Sequence, residues 1–277
     1  MTTLNKLPSF ENPPLIEVAL SVQFESLPEL QIPQLGLLWA EFKERFPRVE
    51  QHTPVDQVIE RIGVRAVPQP RVGFKLLENP PLPRLWFAED GGNELVQVQS
   101  DFFGRNWRKI KELEEYPRYE DAIRPGFVTD WNIFERYVEE KGLGPIKPNQ
   151  CSVTYVNHIV SGDVWQDHNE LGSIFRIWNG GNDKRIPLEM EDAKFALRYV
   201  ISSQKNEFFG RLHISVEPAF LKQDDKPIFV LTLTCRGKPM NEGLDGILSF
   251  MDLGRRHIVD SFDAITTEEM HEVWRKL

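Results

Sequence analysis

Between Phe102 and Lys111 four cations interleave with three aromatic residues: Arg105, Arg108, Lys109 and Lys111 with Phe102, Phe103 and Trp107. Such a stretch could take phosphates on its cations while a ring stacks on a base. Arg105, Trp107 and Arg108 are therefore candidate contacts to a partner protein or a nucleic acid. The favoured alternative is a strand end whose rings enter the core and whose cations pair with Glu112, Glu114 and Glu115. Those acids also lower the local potential and weaken a phosphate reading.

A second candidate lies on strand-like runs near the C-terminal half. Arg198, and then Arg211, His213, Ser215 and Glu217, alternate with apolar neighbours, so each set shares one side of its strand. If the strands are adjacent, Arg198, His213 and Glu217 form a polar groove suited to an anionic ligand. A His–Glu pair in that groove could also transfer protons near neutral pH. An ordinary solvated sheet face gives the same pattern and is favoured.

Other titratable groups are less pointed. Asp163, Asp167 and His168 offer oxygen and nitrogen donors at i, i+4 and i+5, a thin set for a divalent cation and better read as a solvated loop. His257 and His271 lack an HExxH arrangement, which favours helix-surface or capping roles. Cys151 and Cys235 lie far apart in strand-like runs, with no CxxC pair, and read as buried free thiols. No GxxxxGK[ST] phosphate loop, GxGxxG strand-to-helix turn or GxSxG elbow occurs. P-loop, Rossmann and α/β-hydrolase chemistry are disfavoured, and no cofactor is expected.

The elements that must position these groups follow from periodicity. Ile16, Val18, Leu20, Val22 and Phe24 alternate with smaller or polar residues, a strand with one buried face. Leu35, Leu38, Trp39, Phe42 and Phe46 mark an amphipathic helix stopped by Pro47. Strands are expected over 49–59 and 71–77, then over 85–88 and 94–100 around the turn Asp90-Gly91-Gly92-Asn93. Phe127, Trp131, Phe134 and Val138 form a second helical stripe ending at Gly142. Strands return over 151–160, 195–201, 212–216 and 228–235, with Asn179–Asp183 as an intervening loop. Leu244 through Phe262 predict a long C-terminal helix, followed by Thr266-Thr267-Glu268-Glu269 as the capping box of a short one. Strands in hairpin succession with few helices predict an α+β fold with a mainly antiparallel sheet, in two sheet-plus-helix halves over 1–115 and 116–277 that are either separate or parts of one continuous domain.

Composition narrows the function classes. The 277 residues carry 33 Lys and Arg against 42 Asp and Glu, a net charge of −9, which disfavours a general nucleic-acid surface. Neither a signal-peptide pattern at the N-terminus nor a run of about 20 apolar residues is present, so a cytoplasmic, non-membrane protein is expected.

Three pieces of the chain are distinctive together: Asn12-Pro13-Pro14-Leu15-Ile16-Glu17-Val18; Asn106-Trp107-Arg108-Lys109 with Tyr116-Pro117-Arg118-Tyr119; and His257-Ile258-Val259-Asp260 through Phe262, Thr266-Thr267 and His271 to Trp274. In combination they resemble a sporadically distributed prokaryotic family of about this length whose function is uncharacterised. The resemblance spans essentially the whole chain and brings no catalytic residues with it. Its patchy distribution suits a component of a defence or toxin–antitoxin system. The leading expectation is a non-enzymatic interaction module with a protein partner, plausibly a basic one. The alternative is a domain that binds or acts on a phosphorylated or nucleotide-like molecule, and nucleic-acid binding through Arg105, Trp107 and Arg108 comes third.

Overall fold

The computed structural model describes residues 6–61, 82–179, 186–202 and 207–277. Among these residues nine strands form one antiparallel sheet: β1 (Leu15–Phe24), β2 (Arg48–His52), β3 (Arg84–Ala88), β4 (Glu94–Gln99), β5 (Phe102–Arg108), β6 (Pro148–Val160), β7 (Phe195–Ser202), β8 (Phe208–Phe220) and β9 (Pro227–Gly237). Their order across the sheet is β2-β3-β4-β5-β1-β6-β9-β8-β7. The helices are α1 (Ile32–Phe42), α2 (Arg124–Glu140), α3 (Leu171–Ile174), α4 (Gly243–Ile265) and α5 (Glu268–Val273). The fold is α+β, with its longest described helix near the C-terminus.

β1 pairs with β5 on one side and β6 on the other, so strands from both halves of the chain share one sheet. Its alternation sends Val18, Leu20, Val22 and Phe24 to one face, where all four are fully buried. α2 lays Phe127, Trp131 and Phe134 on that face, with the Trp131 ring 5.5 Å from Phe103 and 6.5 Å from Phe24. α1 places Phe42 at 5.8 Å from Phe87 of β3. α4 lies along β6 and β9, close enough that a Cβ on Gly254 would sit 3.0 Å from the Cys235 Cβ. The three longer helices thus cover one face of the sheet.

The turn joining β3 and β4 forms where its Gly and Asn residues predict it, with Gly92 at φ +79°. Three boundaries differ from the periodicity. The first helix ends at Phe42, and the chain reaches Phe46 through a turn that lets the Trp39 indole donate to the Phe46 carbonyl at 3.0 Å. The strand expected over 49–59 ends at His52, because Pro54 has no N–H for a ladder bond. The last helix is capped by Thr267, which accepts from the Met270 amide, since Thr266 still closes α4. The expected strand at 71–77 and residues 180–183 of the expected loop lie outside the described residues. No helix among the described residues is long and apolar enough to cross a membrane.

Candidate functional site

The candidate residues of the basic-aromatic stretch are divided by strand alternation. Arg105 and Trp107 point toward the helices and are 4% and 5% exposed, while Arg108 points to the far face. Arg105 donates from Nε to Asp130 Oδ2 at 2.8 Å and from Nη2 to Glu94 Oε2 at 2.5 Å. Trp107 packs 5.5 Å from the Tyr116 ring. Arg108 lies over a different ring, Trp86, at 5.4 Å, where Arg84 and a stacked His52 also gather. An exposed tryptophan flanked by Arg105 and Arg108 does not form.

On the far face, β7 and β8 are adjacent and place Arg198 directly opposite His213. His213 Nε2 meets Glu60 Oε1 at 2.6 Å, whereas Glu217, further along β8, pairs with Lys194 at 3.7 Å. Arg211 joins the same Glu60 carboxylate at 2.6 Å and Arg236 lies 3.8 Å from it. Burial opposes ionisation of Glu60, but hydrogen bonds from His213 and Arg211 outweigh it and bring its pKa down to about 2.

Two further candidate histidines, His168 and His271, are buried in structural contacts rather than solvated. His168 Nε2 lies 3.1 Å from the Ala219 carbonyl and 3.0 Å from that of Ile228. The buried His271 touches Thr266 and Glu268. Both cysteines are free, and burial pushes the Cys235 thiol up to about 12. No group of three or more His, Cys, Asp or Glu among the described residues could hold a metal ion.

A pocket that the sequence does not announce lies on the helix-covered side, with a volume of about 260 Å³. Its floor is sheet: Tyr155 and Asn157 from β6 and Leu233 from β9. One wall is α4, through Arg255, Ile258, Val259 and Phe262, and another is the extended lead-in Leu7–Leu15. The remainder is Tyr116, Arg118, Glu120 and Asp121, where the chain enters a π-helical turn over Tyr119–Ile123. All three sequence pieces behind the family resemblance therefore contribute to one cavity.

Within it, the Tyr116 and Tyr155 hydroxyls meet at 3.1 Å. Burial pushes both well above the ordinary tyrosine range, so at neutral pH they act as hydrogen-bonding groups and not as bases. Arg255 Nη1 pairs with Glu120 at 2.5 Å, its guanidinium lies 4.9 Å from the Tyr119 ring, and its Nε is buried without a hydrogen-bond partner. Arg118 has φ +67°, an unfavourable backbone setting for a residue with a Cβ, and donates to the Phe10 carbonyl at 3.1 Å. Rare π turns and positive-φ residues concentrate at functional sites. No histidine or cysteine is among the described residues lining the pocket. The arrangement is equipped to hold a molecule with apolar and polar ends, with two phenols, two guanidiniums and the carboxylates of Glu120 and Asp121 among its polar groups.

No protein-family profile, curated protein or solved structure matches the chain.

Tyr116 and Arg118 had a signal in the sequence, as part of the Tyr-Pro-Arg-Tyr piece. Tyr155, Arg255 and Glu60 had none, because nothing local distinguishes them from surface residues of the same type.

Proposed function

We propose that the protein binds a small organic anion in the pocket between α4 and the sheet, its apolar body against Leu15, Ile258 and Phe262 and its anionic group at Arg255. The observation that carries this reading is the buried Arg255 Nε, a charged-group donor without an acceptor beside a half-open pocket. Such a donor is costly to leave unmatched, so a site that keeps one is suited to a ligand that supplies the acceptor. Glu120, the carboxylate paired with Arg255, is 60% exposed at its side chain, and an exposed partner of this kind is cheaply displaced, while Tyr155 remains beside the guanidinium. Carboxylates and phosphomonoesters, nucleotides included, share the required chemistry.

The test is a thermal-shift panel of aromatic and medium-chain carboxylates and nucleoside monophosphates on the full chain. At a hundredfold excess over Kd a true ligand adds about 2.7 kcal/mol of stability, a readily measured rise in Tm. Arg255→Met keeps the apolar stem and removes the head, so it should weaken binding at least tenfold while its own Tm stays within a few degrees. A panel with no saturable shift, or equal binding by Arg255→Met, would sink the reading.

A second reading, the interaction module, is supported by β7. This edge strand carries Tyr199 and Val200 at 48% and 63% exposure, and its outer side pairs with no other strand among the described residues. Long edges with exposed apolar side chains invite strand addition by a partner. A tagged chain recovered from its native host should then bring down a near-stoichiometric protein that the double variant Tyr199→Lys, Val200→Lys loses. A solitary chain, or a partner indifferent to those lysines, removes this version, including a neutralising role in a defence or toxin–antitoxin pair.

A further inference from the structure

Over residues 53–61, after β2, the chain leaves the ladder and crosses the far face of the sheet from β4 to β8. Three glutamines lie under that crossing. Register places Gln99 of β4 and Gln23 of β1 on either side of Phe102, and Gln150 of β6 opposite Gln23, so the three form one row across the strands. All three are buried.

Their carboxamides hold the backbone of the crossing segment. The Val55 amide donates to Gln99 Oε1 at 2.9 Å, and Gln99 Nε2 donates back to the Val55 carbonyl at 3.0 Å. The Val58 amide donates to Gln23 Oε1 at 3.0 Å, and the Glu60 amide to Gln150 Oε1 at 2.8 Å. At the end of the row the Glu60 carboxylate enters the Arg211–His213–Arg236 cluster, and Arg211 also donates to the Arg61 carbonyl at 2.8 Å. Val58 and Ile59 are each 45% exposed, so apolar burial is a minor part of what holds the segment. Backbone is read through side-chain amides, and one side chain is read by charge.

This is the logic of extended-peptide recognition: main-chain hydrogen bonds tolerate many sequences, and one pocket selects a residue type. The segment leaves capacity unused. Gln150, 1% exposed, has its Nε2 without a partner, and Arg236 Nε is likewise buried and unmatched. Among the described residues, two arginines face the single carboxylate of Glu60.

We propose that the glutamine row and the Arg211–His213–Arg236 cluster are a recognition site for an extended acidic segment of a partner protein, occupied in the free chain by residues 53–61 as an internal ligand. Tethering gives the internal segment an effective concentration in the millimolar range, so a partner segment must beat it or arrive when it is released. The site is distinct from the pocket at Arg255, and the two stand or fall separately.

The probe is a fluorescently labelled peptide of residues 53–61, followed by anisotropy against the full chain. Glu60→Ala loosens the internal segment and should bind the peptide at least tenfold more tightly than the unaltered chain does. Adding Arg211→Ala, or replacing the peptide's own glutamate with glutamine, should remove most of that gain. Excess peptide on the unaltered chain should also raise hydrogen exchange across residues 53–61, a readout that holds if Glu60→Ala fails to fold. The proposal is overturned if no peptide binds and exchange does not change, or if the glutamine-bearing peptide binds equally well. Inorganic phosphate saturating the cluster in Glu60→Ala while the peptide does not bind would reassign it as a small-anion site.

Discussion

Asp130→Ala should destabilise the protein by about 3–5 kcal/mol, measured as a shift of the urea unfolding midpoint. Asp130 is fully buried on α2 and accepts from Arg105 Nε at 2.8 Å and from Arg45 Nη1 at 2.7 Å. Burial pushes its pKa up, and the two arginines oppose that. Arg105, itself 4% exposed, passes beneath α2 where residue 126 is glycine; a Cβ there would fall 2.1 Å from Arg105 Nη1. Removing the carboxylate leaves a buried guanidinium with Glu94 as its remaining carboxylate partner, and the cost is chiefly that uncompensated charge. A total stability of about 5–15 kcal/mol makes this a large fraction of the whole. Replacing both ends with apolar residues, Arg105→Met with Asp130→Leu, should recover much of the loss, because no unpaired charge is then buried. A cost below about 1 kcal/mol for Asp130→Ala would mean that the ion cluster does not anchor α2 to β5.

Protection of the Val58 and Glu60 amides against hydrogen exchange should hold between pH 7 and 5 and collapse as the pH falls toward 2. Glu60 has its pKa lowered in the fold from an ordinary 4.5 to about 2. The contribution of a depressed carboxylate is fully present above the unfolded value and is lost as the pH drops through the folded one. Among the described residues the groups that face the carboxylate are Arg211, His213 and Arg236; the two arginines keep their charge throughout this range, so protonation of Glu60 is the event that breaks the contact. The depression corresponds to two to three orders of magnitude in the protection factor, roughly one order per pKa unit. Exchange is the right readout because a crossing segment held by a few polar contacts can open without global unfolding. In Glu60→Gln the neutral-pH protection should already be low and nearly flat with pH. A flat profile in the unaltered chain would show that the glutamine row, and not the carboxylate, retains the segment.

The two predictions concern charges that the sequence could not pair. Arg105 was visible as a cation beside aromatic rings, and the period of two already separates Arg105 and Trp107 from Arg108. What that period does not say is which side the helices cover. Once α2 lies over Phe103 and Arg105, the arginine that could have met a phosphate instead meets Asp130. His213 and Arg198 lie opposite each other on adjacent strands, yet the carboxylate that meets His213 is Glu60, 153 residues away, and not Glu217 of the same strand.

By itself the sequence determined the local classes of structure: strands where apolar residues alternate, helices where they recur at three and four, turns where glycine and asparagine accept positive φ. These are written locally because each depends on the backbone and the side chains within a few positions. It also determined the faces on which residues fall within an element. The tertiary structure decided which elements are neighbours, and therefore which polar groups meet. β1 became the strand joining the two halves, α4 closed a pocket over Tyr116, Tyr155 and Arg118, and residues 53–61 lay across a row of glutamines from three separate strands. Sheet order and helix docking arise from burying all the apolar faces at once, a condition on the whole chain, and the partners of Glu60 and Arg255 follow only from its solution.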